Sequence, residues 1–263
     1  MPTMEDVARR VQDLPSLPAI VMELLACVGQ EGLDLQVLAG KLALDQSLSA
    51  KTLRLANSSF YGMPSRVTTI QQAVAVLGVH NIRTLVTACS ITGSFHTVAG
   101  SSFDLQAFWR HSVGTASCAR ALARPLRQNP DTAFIAGLLH DLGILVLATR
   151  YPDEYEAMQA YRRQHDCYQV EAERAVFGFD HAAVGAALTA HWKFPQQIQA
   201  AVAGHHLADA FSHALNLSGS SDELVPAVGW QAWRAAALSD AACLDAFAES
   251  ERTFRELSQI LVN

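Results

Sequence analysis

Several signals are scarce or missing from this sequence, and each absence narrows what the chain can be. Alternating Val/Ile/Thr runs are few and neither Asn-Gly nor Asp-Gly occurs, so hairpin β-structure has little support. No two cysteines are spaced C-x-x-C. The five present, Cys27, Cys89, Cys118, Cys167 and Cys243, are scattered and odd in number, which argues for reduced thiols serving as small core hydrophobes. The opening Met4-Glu5-Asp6-Val7-Ala8-Arg9-Arg10 is charged where a signal peptide would be apolar, so a cytoplasmic location is expected. The longest apolar stretch reads as shorter than the about 20 residues of a bilayer span and is interrupted by His140-Asp141, so no membrane span is expected. An excess of Lys and Arg is also missing. The formal net charge of −6 works against non-specific contact with nucleic acid, which relies on clustered Lys and Arg, and leaves only a local basic patch open. With 50% hydrophobic and only 17% charged residues in 263, the chain has ample material for a buried core, and disorder is excluded.

What is present is Ala, Leu, Gln and Arg at helical spacing, and the expectation is an all-α protein. Asp34 is placed to cap a helix with Leu35, Leu38 and Leu42 on one face; Leu48, Leu53 and Leu55 mark the next, ending near Asn57. Tyr61-Gly62-Met63-Pro64 breaks the pattern. Further helices are expected over 70–77, 79–95, 105–126, 132–149, 153–164, 170–177, 181–192 and 196–206, then 226–247 and 252–262 after the polar loop Ser218-Gly219-Ser220-Ser221-Asp222. The helix over 132–149 is apolar nearly all round, as expected of a central buried element. No repeat, low-complexity tract or Pro/Ser-rich linker divides the chain, so the segments on either side of Gly100 are expected to pack as halves of one unit.

Inside that apolar run stand His140 and Asp141. A carboxylate and an imidazole are costly to bury unless they pair, hydrogen-bond or bind a metal, so other parts of the chain must satisfy them. His111 lies upstream, and His181, His205, His206 and Asp240 lie downstream. Mixed imidazole and carboxylate donors suit Fe, Mn, Zn or Ni, and separate helices of a bundle can aim them at one point. The metal-free alternative is a set of hydrogen bonds between helices. His80, His96, His165, His191 and His213 fit no such pattern, and Trp192, Trp230 and Trp233 read as packing residues. Lys51 and Arg54, on the polar side of the helix ending near Asn57, invite comparison with a DNA-reading helix. A solvated face explains them better in an acidic chain.

Leu14-Pro15-Ser16-Leu17-Pro18, Leu53-Arg54-Leu55-Ala56-Asn57-Ser58-Ser59-Phe60-Tyr61-Gly62 and Thr69-Ile70-Gln71-Gln72-Ala73-Val74-Ala75-Val76-Leu77-Gly78, in this order, resemble the HDOD domain. The resemblance runs from Gln12 to His206 and implies an N-terminal helical subdomain, to residue 100, packed on an HD-like helical bundle from residue 103. Residues 207–263 would then be a C-terminal helical extension completing the bundle. In the second half, Phe108-Trp109-Arg110-His111-Ser112 and Leu139-His140-Asp141-Leu142-Gly143 resemble the first metal-histidine helix and the HD motif of HD phosphohydrolases. His181 and His205-His206 resemble the further histidines of HD-GYP phosphodiesterases, and Asp240 the last aspartate. By resemblance, His111, His140, Asp141 and Asp240 would hold one metal ion. Asp141 would bridge to a second held by His181 and His205. Of the adjacent His205 and His206 only one would serve, because neighbours on a helix point about 100° apart.

The departures from the pattern carry equal weight. The HD pair is followed by Gly143-Ile144 where HD-GYP enzymes have Gly-Lys. Their Gly-Tyr-Pro loop is absent from Leu207-Ala208-Asp209-Ala210-Phe211, and a glutamate of trinuclear members is Ala107. Asp45-Gln46 stands where the family has Asp-Pro. An aliphatic side chain cannot stabilise developing phosphoryl charge, so cyclic dinucleotide hydrolysis by the HD-GYP route is disfavoured. Two main readings follow. The preferred one is a bacterial signalling protein acting through a partner protein, with a bound divalent metal as a structural or sensing element. The other is a metal-dependent phosphohydrolase for a nucleotide or phosphoester, with Asp141 central to any catalysis. A third and weaker reading is a nucleic-acid-associated regulator.

Overall fold

The computed structural model describes residues 2–14, 21, 35–57, 66–95, 103–204 and 240–261. Among them run twelve helices and no strand: α1 (Met4–Gln12), α2 (Leu35–Ala43), α3 (Gln46–Ala56), α4 (Ile70–Ser94), α5 (Leu105–Ala123), α6 (Pro130–Leu139), α7 (Leu142–Arg150), α8 (Pro152–His165), α9 (Gln169–Phe177), α10 (His181–His191), α11 (Gln196–Ala203) and α12 (Asp240–Leu261). The all-α expectation holds. Short polar side chains set six of the twelve starts by accepting amides that a first helical turn leaves unpaired. Thr3 and Asp6 make a reciprocal capping box on α1, Asp45 caps α3, Thr69 caps α4, Asp104 caps α5, and Asn129 followed by Pro130 starts α6. Asp34, the Tyr61-Gly62-Met63-Pro64 break and the Ser218–Asp222 loop lie outside the described residues.

The long α4 contains the expected punctuation, since Gly78 has φ of 73° and ψ of 164° and divides it into two helical segments. α2, α3 and α4 pack together through Leu38, Leu42, Leu48, Leu55, Ala73 and Val74, all buried. α5 is the axis of the second half, with α6 along one side and α12 along another, while α10 lies against α7 and α11. A clamp joins the two halves. Arg120 of α5 donates to Asp131 (3.0 Å) and to Asn81 of α4 (3.4 Å), and its guanidinium lies over the Phe134 ring. α1 packs on α10 through the buried Val7 and Val11, and Arg10 donates to the Arg150 carbonyl beside the Tyr151 ring. The first helix therefore packs against elements of the second half.

Three expectations need correction. The helix over 132–149 is two helices, because it breaks at His140 and Asp141 between α6 and α7. The last two expected helices are one from Asp240 onward, since Phe247 to Arg252 continues as helix through α12. The apolar run is also longer than the sequence suggested: Pro130–Arg150 spans 21 residues with mean hydropathy 1.8, enough by length and composition to cross a membrane. Its burial, at 78% of the most apolar window, instead makes it the core of the bundle. Of the cysteines, Cys89 and Cys118 are buried as expected, whereas Cys167 is half-buried. Trp192 is buried against Phe95, as a packing residue should be.

Two glycines set how closely the helices around the break approach. A Cβ on Gly137 would stand 2.8 Å from Ala116 Cα, so α6 rests directly on the α5 backbone. A Cβ on Gly143 would stand 1.9 Å from the His181 carbonyl oxygen and 2.9 Å from Gly185 N, so α7 and the start of α10 touch backbone to backbone. Backbone cannot move aside as a flexible side chain can. We predict that Gly143→Ala lowers stability by at least the ~1–3 kcal/mol typical of overpacking, read as a fall in thermal midpoint. An unchanged midpoint would mean that the crossing is looser than described.

Candidate metal centre

The break between α6 and α7 solves a geometric difficulty. Adjacent residues on a continuous helix point about 100° apart, so His140 and Asp141 could not share a target there. Asp141 instead sits at the N-cap of α7 with φ of −100° and ψ of 14° and makes no side-chain capping bond. An aspartate at that place ordinarily accepts an amide and contributes about 1 kcal/mol. Here the carboxylate faces imidazoles instead. Its Oδ2 lies 3.1 Å from His140 Nε2 and 3.3 Å from His111 Nε2, and its Oδ1 lies 3.4 Å from His181 Nε2.

His111 stands two turns into α5, whose register is fixed by the Asp104 cap, and its Nε2 is 3.1 Å from His140 Nε2. His140 is buried, and its Nδ1 is 2.7 Å from the Gly137 carbonyl. A carbonyl only accepts, so Nδ1 carries the proton, and Nε2 of the neutral ring offers a lone pair toward His111 and Asp141. Donors sharing one ion at about 2.1 Å stand about 3.0 Å apart at right angles and about 3.4 Å apart at tetrahedral angles. The three separations among His111, His140 and Asp141, 3.1, 3.1 and 3.3 Å, fall within that range. The donor set fits a divalent transition metal.

His181 opens α10 on the other side of the same carboxylate. Glu173 of α9, fully buried, accepts both the His181 amide (2.8 Å) and Nδ1–H (2.7 Å), and its other oxygen accepts from Gln169 (2.9 Å). Burial alone would lower the His181 pKa, but the Glu173 hydrogen bond and the Asp141 charge outweigh it and raise it above the ordinary value. A cation between His181 and Asp141, whether proton or metal ion, is what this setting favours.

Of the residues expected at the site, His111, His140, Asp141 and His181 are brought together. His205 and His206 lie outside the described residues. Asp240 begins α12, which runs along the His111-bearing α5. His165 and His191 are exposed. Ile144, at the position of the HD-GYP lysine, is 8% exposed and belongs to the apolar core. Sequence reasoning missed Glu173. Its signal was a charged residue four before Phe177, on the buried face of α9.

An all-helical bundle that presents a His-Asp pair at a helix break to histidines from two other helices defines an HD-like protein. The chain belongs to the HDOD family, whose domain model matches residues 14–208. It is similar to a provisionally assigned phosphohydrolase from Shewanella amazonensis SB2B, at 27% identity and TM-score 0.74 over 97% of each chain. An HDOD domain protein of unknown function from Geobacter sulfurreducens is 25% identical, with TM-score 0.64 over 94% of this chain and 76% of the other. A provisionally assigned signal transduction protein from Marinobacter aquaeolei VT8 shares the fold at 21% identity and TM-score 0.75, over all of this chain and 62% of that one. An uncharacterised protein of Treponema pallidum (strain Nichols) is 24% identical over 202 residues; the chain spans 39% of that relative's length.

The orientation of His181 depends on the start of α10. Asp180 caps it through the Ala183 amide (3.0 Å) and is held by Arg174 Nη2 (2.6 Å). Partial burial pushes the Asp180 carboxyl up, but the Ala183 amide and Arg174 outweigh it and hold its pKa below 3.8. A depressed carboxyl stabilises the fold above its unfolded-state pKa and loses that contribution as pH falls through the lower folded value. Asp180→Ala is therefore predicted to cost about 1 kcal/mol near neutral pH. The gap to the parent protein should narrow below pH 3.8 in denaturant titrations. A gap independent of pH would contradict the assignment.

Proposed function

We propose that this HDOD protein is a regulatory domain in which His111, His140 and Asp141 hold one divalent transition metal ion, of Fe, Mn, Zn or Ni, and which acts by engaging a signalling partner protein. The observation that carries the metal is the Asp141 carboxylate, left uncapped at a helix start and turned to His111 Nε2 and His140 Nε2. Asp240, at the head of the helix beside α5, is the candidate fourth ligand. The observation that favours binding over turnover is Ile144, an aliphatic core residue where HD-GYP enzymes carry a cation for phosphate. The signal-transduction name borne by one similar structure accords with a regulatory role.

A second reading has its own support. Asp141 Oδ1 faces His181 while Oδ2 faces His111 and His140, the arrangement of a carboxylate able to bridge two ions. By the sequence resemblance, His205 would be a further ligand. A bound ion would supply Lewis acidity and an activated water, as in metal-dependent hydrolysis of a nucleotide or phosphoester. Similar structures named as phosphohydrolases, one of them metal-dependent, accord with this reading.

Elemental analysis of protein purified without chelator or metal-affinity resin separates the readings when combined with a phosphoester and nucleotide panel. Near one equivalent of a transition metal is expected, falling at least tenfold in Asp141→Ala, with no turnover in either protein. Metal below a tenth of an equivalent sinks the metal site. Turnover that disappears in Asp141→Ala would establish the hydrolase instead.

A further inference from the structure

A fully buried carboxylate is costly unless it is paired and hydrogen-bonded, and two of the three bonds that satisfy Glu173 come from one residue, His181. Its Oε2 takes both N–H groups of His181, backbone and ring, while Gln169 takes Oε1. Bonding Nδ1 fixes the ring tautomer and rotation together, so that Nε2 can point only where Asp141 Oδ1 stands, 3.4 Å away. That separation suits two donors on one ion. The Gly143 contact with the His181 carbonyl fixes the other end of the same residue.

We infer that Glu173 is a positioning residue that holds His181 as a metal donor and so sets the affinity of a cation position on the Oδ1 side of Asp141, opposite His111 and His140. This rests on the metal reading proposed above. Glu173 touches no ion itself. Its negative charge makes the His181 ring a stronger donor, whereas a purely structural Glu173 would only anchor the α10 start.

Titrating the metal-stripped full chain with Mn²⁺ by calorimetry, with melting curves alongside, tests the inference. Two classes of site are expected in the parent protein. In Glu173→Gln, which keeps an oxygen acceptor for both His181 N–H groups, the weaker class should fall about 10- to 100-fold in affinity with the tighter class unchanged. His181→Ala should remove the weaker class, and adding Glu173→Gln to it should change nothing more. Unaltered affinities in Glu173→Gln would leave Glu173 a mere anchor and overturn the inference. So would a loss in both classes that tracks a lowered melting temperature. A single class in the parent overturns the inference but leaves the one-ion proposal standing, whereas no binding at all defeats both. Should Glu173→Gln fail to fold, Gln169→Leu reads the same chain of contacts, and a weaker class unaltered there is equally fatal.

Discussion

A carboxylate enclosed by three imidazoles, at a point where the most apolar segment of the chain stops being helical, is the constraint on which the rest of the structure depends. Asp141 starts α7 directly after His140 ends α6, and instead of capping α7 its carboxylate is turned to His111, His140 and His181. A continuous helix through Pro130–Arg150 would gain backbone hydrogen bonds and lose the convergence. The break is tolerated because both flanking helices are anchored in the core by Phe134, Ile135, Leu138, Leu142 and Leu145. Packing thus holds a polar arrangement that local propensity would not choose.

The surrounding elements serve that arrangement at successive distances. Gly137 and Gly143 let α6 and α7 meet α5 and α10 at backbone contact, which places imidazoles from different helices within reach of one carboxylate. Gly137 also lends its carbonyl to His140 Nδ1, and Glu173 does the same work for His181, so two of the three rings have their tautomer set by an outer partner. Farther out, the Asn81–Arg120–Asp131 clamp ties the N-terminal helices to α5 and α6. Removing one member of so buried a pair ordinarily costs several kcal/mol.

The all-α class, most helix positions and the grouping of His111, His140, Asp141 and His181 were legible in the sequence. Helical periodicity, as in Leu35, Leu38 and Leu42, is a local signal, and the His and Asp residues stand in recognisable motifs. The helix break was not legible. Leu139-His140-Asp141-Leu142 contains no Gly or Pro at the break itself, so pattern alone extends the helix, although the angular argument applied to His205-His206 argues equally against His140 and Asp141 sharing a helix. Glu173 was missed for a different reason: its partner is eight residues away across a turn, and a glutamate in an amphipathic helix ordinarily reads as solvent-facing, so its spacing from Phe177 was too weak a signal. The closeness of Gly143 to His181 is a tertiary fact that spacing does not encode.

X-ray absorption at the metal edge of the protein as isolated tests the central claim most directly, because it reports the donors around the ion rather than its quantity. The account predicts nitrogen and oxygen scatterers at about 2.0–2.2 Å, with the outer-shell pattern of at least two imidazoles that diminishes when His111 or His140 is replaced. A first shell of sulfur at about 2.3 Å, or an imidazole pattern indifferent to both substitutions, would contradict it.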